Sequence, residues 1–183
     1  MKRILSILSF VILITMITWS CERDDICAEA TPTTPRLIIE FYNINNPDQL
    51  KTVRQLTVNG INEDGELLEN ISLESASPSS ISLPLNFDLE GEETVTRFQL
   101  KLNSDFDVDD SNTSNPDFIE VRYTPEFIYV SRACGYKSIF NLAEVPFKKD
   151  GEAEGDDDTW IRSFEIINET IENENAAQIY IYH

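Results

Sequence analysis

The chain contains one histidine, and it is residue 183. A Ser-His-Asp or Cys-His apparatus needs an imidazole held in a fixed place, whereas the last residues of a chain usually fray. The sequence therefore predicts no nucleophilic hydrolase. With three cysteines and that single histidine there is no cluster of the kind that holds zinc, and the six glycines nowhere gather into a phosphate-binding loop. Positive charge is scarce as well: 14 Lys and Arg stand against 33 Asp and Glu, a net charge of −19. Such an excess repels nucleic acid and anionic lipid head groups, so neither is an expected partner of the folded body.

One long apolar run is present, at the N-terminus. Met1-Lys2-Arg3 supplies a short positive start and Ile4 to Trp19 is apolar apart from scattered Ser and Thr, the order of a secretory signal. The run is about 16 residues, short of the roughly 20 that a membrane-spanning helix needs. It ends in Ile17-Thr-Trp-Ser-Cys-Glu-Arg-Asp-Asp-Ile-Cys27. Ser20 before Cys21 resembles the lipobox of bacterial lipoproteins, in which the cysteine thiol takes up a diacylglycerol and becomes the mature N-terminus. Thr18 and Trp19 stand where that pattern has an aliphatic and a small residue. The reading is a cleaved lipoprotein signal peptide over 1–20 with lipidation of Cys21, and an ordinary cleaved signal is the alternative. Cleavage removes Lys2 and Arg3 and no acid, and two fewer positive charges turn −19 into −21.

Lipidation also resolves the odd cysteine count. Cys27 and Cys134 remain, and an even pair in an exported protein reads as one disulfide. Two separate buried thiols are the alternative.

After the leader the hydrophobic period is close to two. Phe98, Leu100 and Leu102 alternate with Arg97, Gln99 and Lys101, which predicts a half-buried strand over Thr94 to Leu102. Similar segments run from Arg36 to Tyr42, Val53 to Val58, Leu67 to Leu73, Ser80 to Phe87, Phe118 to Tyr123, Phe127 to Arg132, Ser138 to Leu142, Trp160 to Ile167 and Gln178 to Tyr182. Asn59-Gly60, Asp64-Gly65, Glu90-Gly91, Asn115-Pro116, Thr124-Pro125 and Asp150-Gly151 punctuate them as turns. Short strands with frequent turns and no amphipathic helix predict an all-β fold, an antiparallel immunoglobulin-like β-sandwich first and a small barrel second. Pro84 and Pro125 are expected at strand ends or on an edge, since proline cannot donate to a ladder. Trp160 is read as a core aromatic without a functional role. The predicted organisation is a signal peptide over 1–20, a lipidated tether and lead-in segment over 21–35, and a single domain over 36–183.

Most acidic clusters read as solvated loops. Asp105, Asp107 and Asp109 are the exception, because they occupy positions one, three and five of an EF-hand-like loop, the spacing that converges carboxylates on calcium. Asp110 stands where the turn glycine belongs and Pro116 where the bidentate glutamate belongs, so a calcium site competes with a solvated hairpin tip. No other metal, and no organic cofactor, is expected beyond the diacylglycerol on Cys21.

Cys21-Glu-Arg-Asp-Asp-Ile-Cys27, Thr33-Thr-Pro-Arg-Leu-Ile-Ile-Glu-Phe-Tyr42, Ser82-Leu-Pro-Leu85 and Tyr129-Val-Ser-Arg-Ala-Cys-Gly-Tyr136 together resemble a family of uncharacterised lipoproteins of the Bacteroidota, the family of unknown function numbered 6452. The likeness spans most of the mature chain and brings no activity with it. It implies an outer-membrane lipoprotein whose gene neighbours that of a predicted outer-membrane β-barrel. The acids Glu22, Asp24 and Asp25 resemble the short acidic surface-export signal of such lipoproteins, with Arg23 interrupting it, and leave cell-surface and periplasmic orientation equally open. Two functions follow as expectations. The first is a non-enzymatic, membrane-tethered interaction or accessory module of the cell envelope; the second is a calcium- or glycan-binding β-sandwich, which for glycan rests on fold analogy alone.

Overall fold

The computed structural model describes residues 26–28, 31, 33–105, 114–144, 147–148 and 159–183. The signal peptide over 1–20, Cys21, the acids Glu22, Asp24 and Asp25, and the calcium candidates Asp107 and Asp109 lie outside the described residues.

The described chain is all β. In order come β1 (Leu37–Asn43), β2 (Asn46–Leu50), β3 (Leu56–Ile61) and β4 (Leu67–Ser75). Next are β5 (Ser80–Leu83), β6 (Thr94–Leu102), β7 (Asn115–Ser131) and β8 (Gly135–Glu144). The last four are β9 (Phe147–Lys148), β10 (Ser163–Ile166), β11 (Thr170–Ile171) and β12 (Ile179–Tyr182). No helix occurs among the described residues.

Two sheets result. A five-stranded sheet runs β10-β12-β1-β2 with β5 also paired to β1, and a seven-stranded sheet runs β11-β8-β7-β6-β3-β4 with β9 also paired to β7. The period-two pattern explains what joins them. Leu37, Ile39 and Phe41 of β1 and Ile179 and Ile181 of β12 point one way, and Val58 of β3, Phe98 and Leu100 of β6, Val121 of β7 and Phe140 of β8 belong to the same buried cluster. Each side chain of this size, fully buried, stabilises by about 1.5–3 kcal/mol. Tyr123 brings a hydroxyl into that core, and the hydroxyl is satisfied by Thr96 Oγ1 at 2.6 Å and the Asn86 carbonyl at 2.8 Å.

By internal contacts the chain divides into two compact units. One holds Tyr129–Tyr136 with the N-terminal residues up to Thr31, and the other holds Pro32–Ile128 and Lys137–His183. The core cluster belongs to the second unit.

Apart from the expected turns at Asn59-Gly60 and Asn115-Pro116, which fall inside β3 and β7 where they pair with β6, three features differ from the sequence expectation. β1 and β12 pair in parallel, with Ile39 opposite Ile179 and Tyr42 opposite Tyr182, so the sheets are not purely antiparallel. A parallel pair requires a long crossover, and here the crossover is most of the chain. Second, the strands expected over 118–123 and 127–132 are one strand, β7, with Pro125 inside it. The pairing of β7 with β6 ends at Tyr123 opposite Thr94, so Pro125 lies beyond its last partner on that side and no ladder bond is lost to the missing N–H. Its carbonyl accepts the Gly91 N–H at 2.9 Å. Third, the expected strand from Trp160 shortens to β10. Trp160 itself is buried ahead of that strand, its Nε1–H donating to the Leu100 carbonyl at 3.2 Å and its ring 6.2 Å from that of Phe41.

Candidate functional site

Because Leu37, Ile39 and Phe41 are buried, the intervening residues of β1 lie on the opposite face of the five-stranded sheet, and the same holds for β12. Strand register then sets out two rows across this face. Glu165, Tyr180, Glu40 and Ser80 form the first, and Ser163, Tyr182, Tyr42 and Leu50 the second. Neighbouring strands lie about 4.8 Å apart, so the Glu40 and Glu165 backbones are about 10 Å apart with Tyr180 between them.

The three tyrosines form a contiguous aromatic surface. The Tyr42 ring centroid is 4.5 Å from that of Tyr180 and 6.0 Å from that of Tyr182. Tyr42 Oη donates to Glu40 Oε2 at 3.0 Å and Tyr182 Oη to Glu165 Oε2 at 3.1 Å. Partial burial and then bonding to Tyr180 and Glu40 hold the Tyr42 phenol well above its ordinary pKa, and burial and then Glu165 raise that of Tyr182. Both phenols stay neutral and both carboxylates keep an oxygen for another donor. Among the described residues neither Glu40 nor Glu165 is ion-paired. Two carboxylates and the negative faces of aromatic rings make this surface suited to a cation.

A second surface belongs to the smaller unit. Cys27 and Cys134 are joined as a disulfide, with an S–S distance of 2.03 Å and Cα atoms 4.8 Å apart, so the pair expected from the cysteine arithmetic forms. The Cys134 N–H donates to Ser131 Oγ at 3.1 Å and Gly135 takes φ +70°, a conformation that glycine adopts without strain as the chain turns back into β8. Beside the disulfide lies a cavity of about 310 Å³ lined by Ile26, Ala28, Ser131 and Arg132 among others. Tyr129 and Tyr136 meet edge to face at 5.4 Å, and both are exposed, at 55% and 68%.

Asp105 has a partner that the sequence did not suggest. Both its oxygens are engaged by Arg54, at 2.8 and 2.7 Å, and that hydrogen bonding holds its carboxyl below the ordinary range. The segment is further tied down by the Asn103 and Ser104 N–H groups, which donate to the Arg54 and Gln55 carbonyls. Among the described residues no group of His, Cys, Asp or Glu could hold a metal ion.

His183 is not frayed. Its N–H donates to the Tyr42 carbonyl at 3.0 Å, its own carbonyl accepts from the Ile44 N–H at 3.1 Å and from Lys51 Nζ at 2.9 Å, and its ring stands edge-on to Trp160 at 5.5 Å. The expectation of a loose terminus fails because the strand β12 delivers His183 directly onto the end of β1.

The tyrosine and glutamate face was missed at the sequence level, although one signal was present. Glu40-Phe-Tyr42 and Tyr180-Ile-Tyr182 each place polar aromatic or acidic residues on the outward phase of a strand, but only the register of β1 on β12 brings the two together.

The model of a family of unknown function (DUF6452) matches residues 55–183. No curated protein and no solved structure matches the chain.

Proposed function

The chain belongs to this family of unknown function, DUF6452, and from that premise we propose that it is a non-enzymatic interaction module of the cell envelope that captures a basic segment of a partner protein. The observation that carries this reading is the face built from Tyr42, Tyr180, Tyr182, Glu40 and Glu165, two carboxylates without an ion pair among the described residues beside a cluster of tilted rings. An arginine or lysine laid over Tyr180 has a carboxylate on either side and an aromatic face beneath. The partner we favour is an outer-membrane β-barrel protein of the same envelope.

The anchoring in this proposal is that of a Bacteroidota lipoprotein: a signal peptide over 1–20 removed, a diacylglycerol on Cys21, a tether over 21–35, and an immunoglobulin-like sandwich domain over 36–183 held at the outer membrane. Glu22, Asp24 and Asp25 serve as its export signal. The Cys27–Cys134 disulfide supports the export reading, since such bonds persist in oxidising compartments outside the cytosol. The two sheets around one core support the sandwich.

Clustered tyrosines also suit a sugar ring, which makes a glycan the rival ligand. The two differ in their response to salt, because only a cation gains from the carboxylates. The test is titration of the purified domain with arginine-rich peptides and with neutral oligosaccharides at two ionic strengths. Peptide binding that weakens with salt, and that drops about tenfold in Tyr180→Ser and in Glu40→Gln/Glu165→Gln, is expected. Salt-insensitive binding of an oligosaccharide, lost in Tyr180→Ser and kept in the glutamine variant, overturns the cationic partner.

A further inference from the structure

The turn between β7 and β8 is unlike the rest of the surface in three respects. First, it exposes aromatic and apolar side chains beside Arg132: Tyr129 at 55%, Tyr136 at 68% and, across the disulfide, Ile26 at 83%. Second, it is free of acids. From Phe127 to Ala143 there is no Asp or Glu, whereas Arg132 and Lys137 both fall within the stretch, in a chain where acids outnumber bases 33 to 14. Third, it is covalently close to the lipidation site. Cys27 is the sixth residue after Cys21, a span of about 20 Å when fully extended, and the disulfide fixes the Cys134 Cα a further 4.8 Å away.

We infer that this turn, with Tyr129, Tyr136 and Ile26, is a membrane-contact surface that rests in the head-group region of the bilayer holding the Cys21 lipid. The inference rests on the lipid anchor proposed above. Tyrosine settles at the boundary between head groups and acyl chains because its ring is apolar and its hydroxyl is wet. Arg132 can follow, laying its stem along the rings and keeping its guanidinium among the phosphates. The chain as a whole is strongly acidic, and the stretch from Phe127 to Ala143, which has no acid, lets this turn approach a lipid surface without the repulsion an acidic cluster would meet. Two acyl chains already hold the chain on the membrane; what the turn adds is a second point of contact. With the disulfide in place that contact stays close to the anchor.

The test uses the mature lipidated protein reconstituted into phosphatidylcholine vesicles whose acyl chains carry bromine close to the glycerol, which quenches indole fluorescence at short range. Tyr136→Trp places a reporter at the turn, with wild type giving the background of the buried Trp160. Quenching in Tyr136→Trp beyond that background is the expected result. Its absence, in protein that floats with the vesicles, overturns the contact surface and leaves the anchor standing. Wild-type protein that does not float with vesicles at all overturns the anchor and this inference with it.

Discussion

Arg97 and Glu120 stand directly opposite each other on β6 and β7, and the Arg97 Nε–H donates to Glu120 Oε2 at 2.7 Å. Glu120 is 1% exposed, and its other oxygen accepts from Arg122 Nη2 at 2.5 Å. Glu63 and Glu93 approach the outer sides of these arginines at 3.7 and 3.6 Å. A buried carboxylate is thus held between two guanidinium groups at the centre of the seven-stranded sheet.

Stranding a buried charge outright costs about 3–5 kcal/mol. Arg97→Met leaves Arg122 beside Glu120, so it is expected to destabilise by less than that in urea unfolding. Arg97→Met combined with Glu120→Leu should cost clearly less than the two single changes added, because no stranded charge remains. Additive losses would show that the two residues do not act as a pair.

The disulfide makes a different kind of prediction. It closes a loop of sequence separation 107, and in the chain-entropy account a loop of that size restrains the unfolded state enough to contribute about 2–5 kcal/mol. Cys27→Ser and Cys134→Ser should each lose that amount, and the double variant should lose no more than either alone. Free-thiol titration of unfolded, unreduced mature protein should find neither cysteine reactive.

For pH dependence the single histidine is informative. Burial, and secondarily the charge of Lys51, hold the His183 ring below its ordinary pKa of 6.5. The unfolded chain therefore takes up this proton first as pH falls, so the contribution of neutral His183 is complete above the unfolded value and is lost as pH drops through the folded one. Wild type should lose more stability than His183→Phe between about pH 7.5 and about pH 5 in denaturant titrations. An equal loss in both would mean that the ring is solvated.

Calcium should do nothing to stability. Both oxygens of Asp105 are engaged by Arg54, and a cation would have to break that fork to use them. A native-state site filled at a hundred times its Kd adds about 2.7 kcal/mol, a shift of the thermal midpoint that is easy to see. Midpoints in calcium and in chelator are expected to coincide, and a rise in calcium would place the carboxylate in a metal site after all.

Replacing Cys21 by Ala is expected to release the mature chain from membranes, since the acidic body has no electrostatic substitute for two acyl chains. Fractionation with labelled palmitate reads both the lipid and the location. Equal incorporation in Cys21→Ala and wild type would remove the anchor from the proposed function.

What could be read from the sequence follows from how local each signal is. The boundaries of β6 fall at Thr94 and Leu102 as expected, because alternation of Phe98, Leu100 and Leu102 with the polar Arg97, Gln99 and Lys101 is a property of consecutive residues. β2 was not legible: Asn46–Leu50 is exposed throughout and has no apolar phase, and only the backbone of β1 recruits it. Pro125 misled because its cost depends on whether a neighbouring strand is waiting for its N–H, which is a fact about β6 ending at Thr94. Cysteine arithmetic succeeded for Cys27 and Cys134 because two remaining thiols allow a single pairing. The tyrosine face failed for the opposite reason, as its five residues come from three strands at distant places in the chain.

The parallel pairing of β1 with β12 also governs the order in which the molecule can form. β1 is the central strand of its sheet, yet one of its two edges finds its neighbour only at Ile179 to Tyr182. Such non-local pairing slows folding, because loop closure over most of the chain precedes the contacts that reward it. A nascent chain that ends before residue 179 holds β1 with a bare edge open to other strands, the kind of edge that invites aggregation. Completion of this sheet therefore waits on the synthesis of β12, and while it is pending the chain depends on whatever shields that edge.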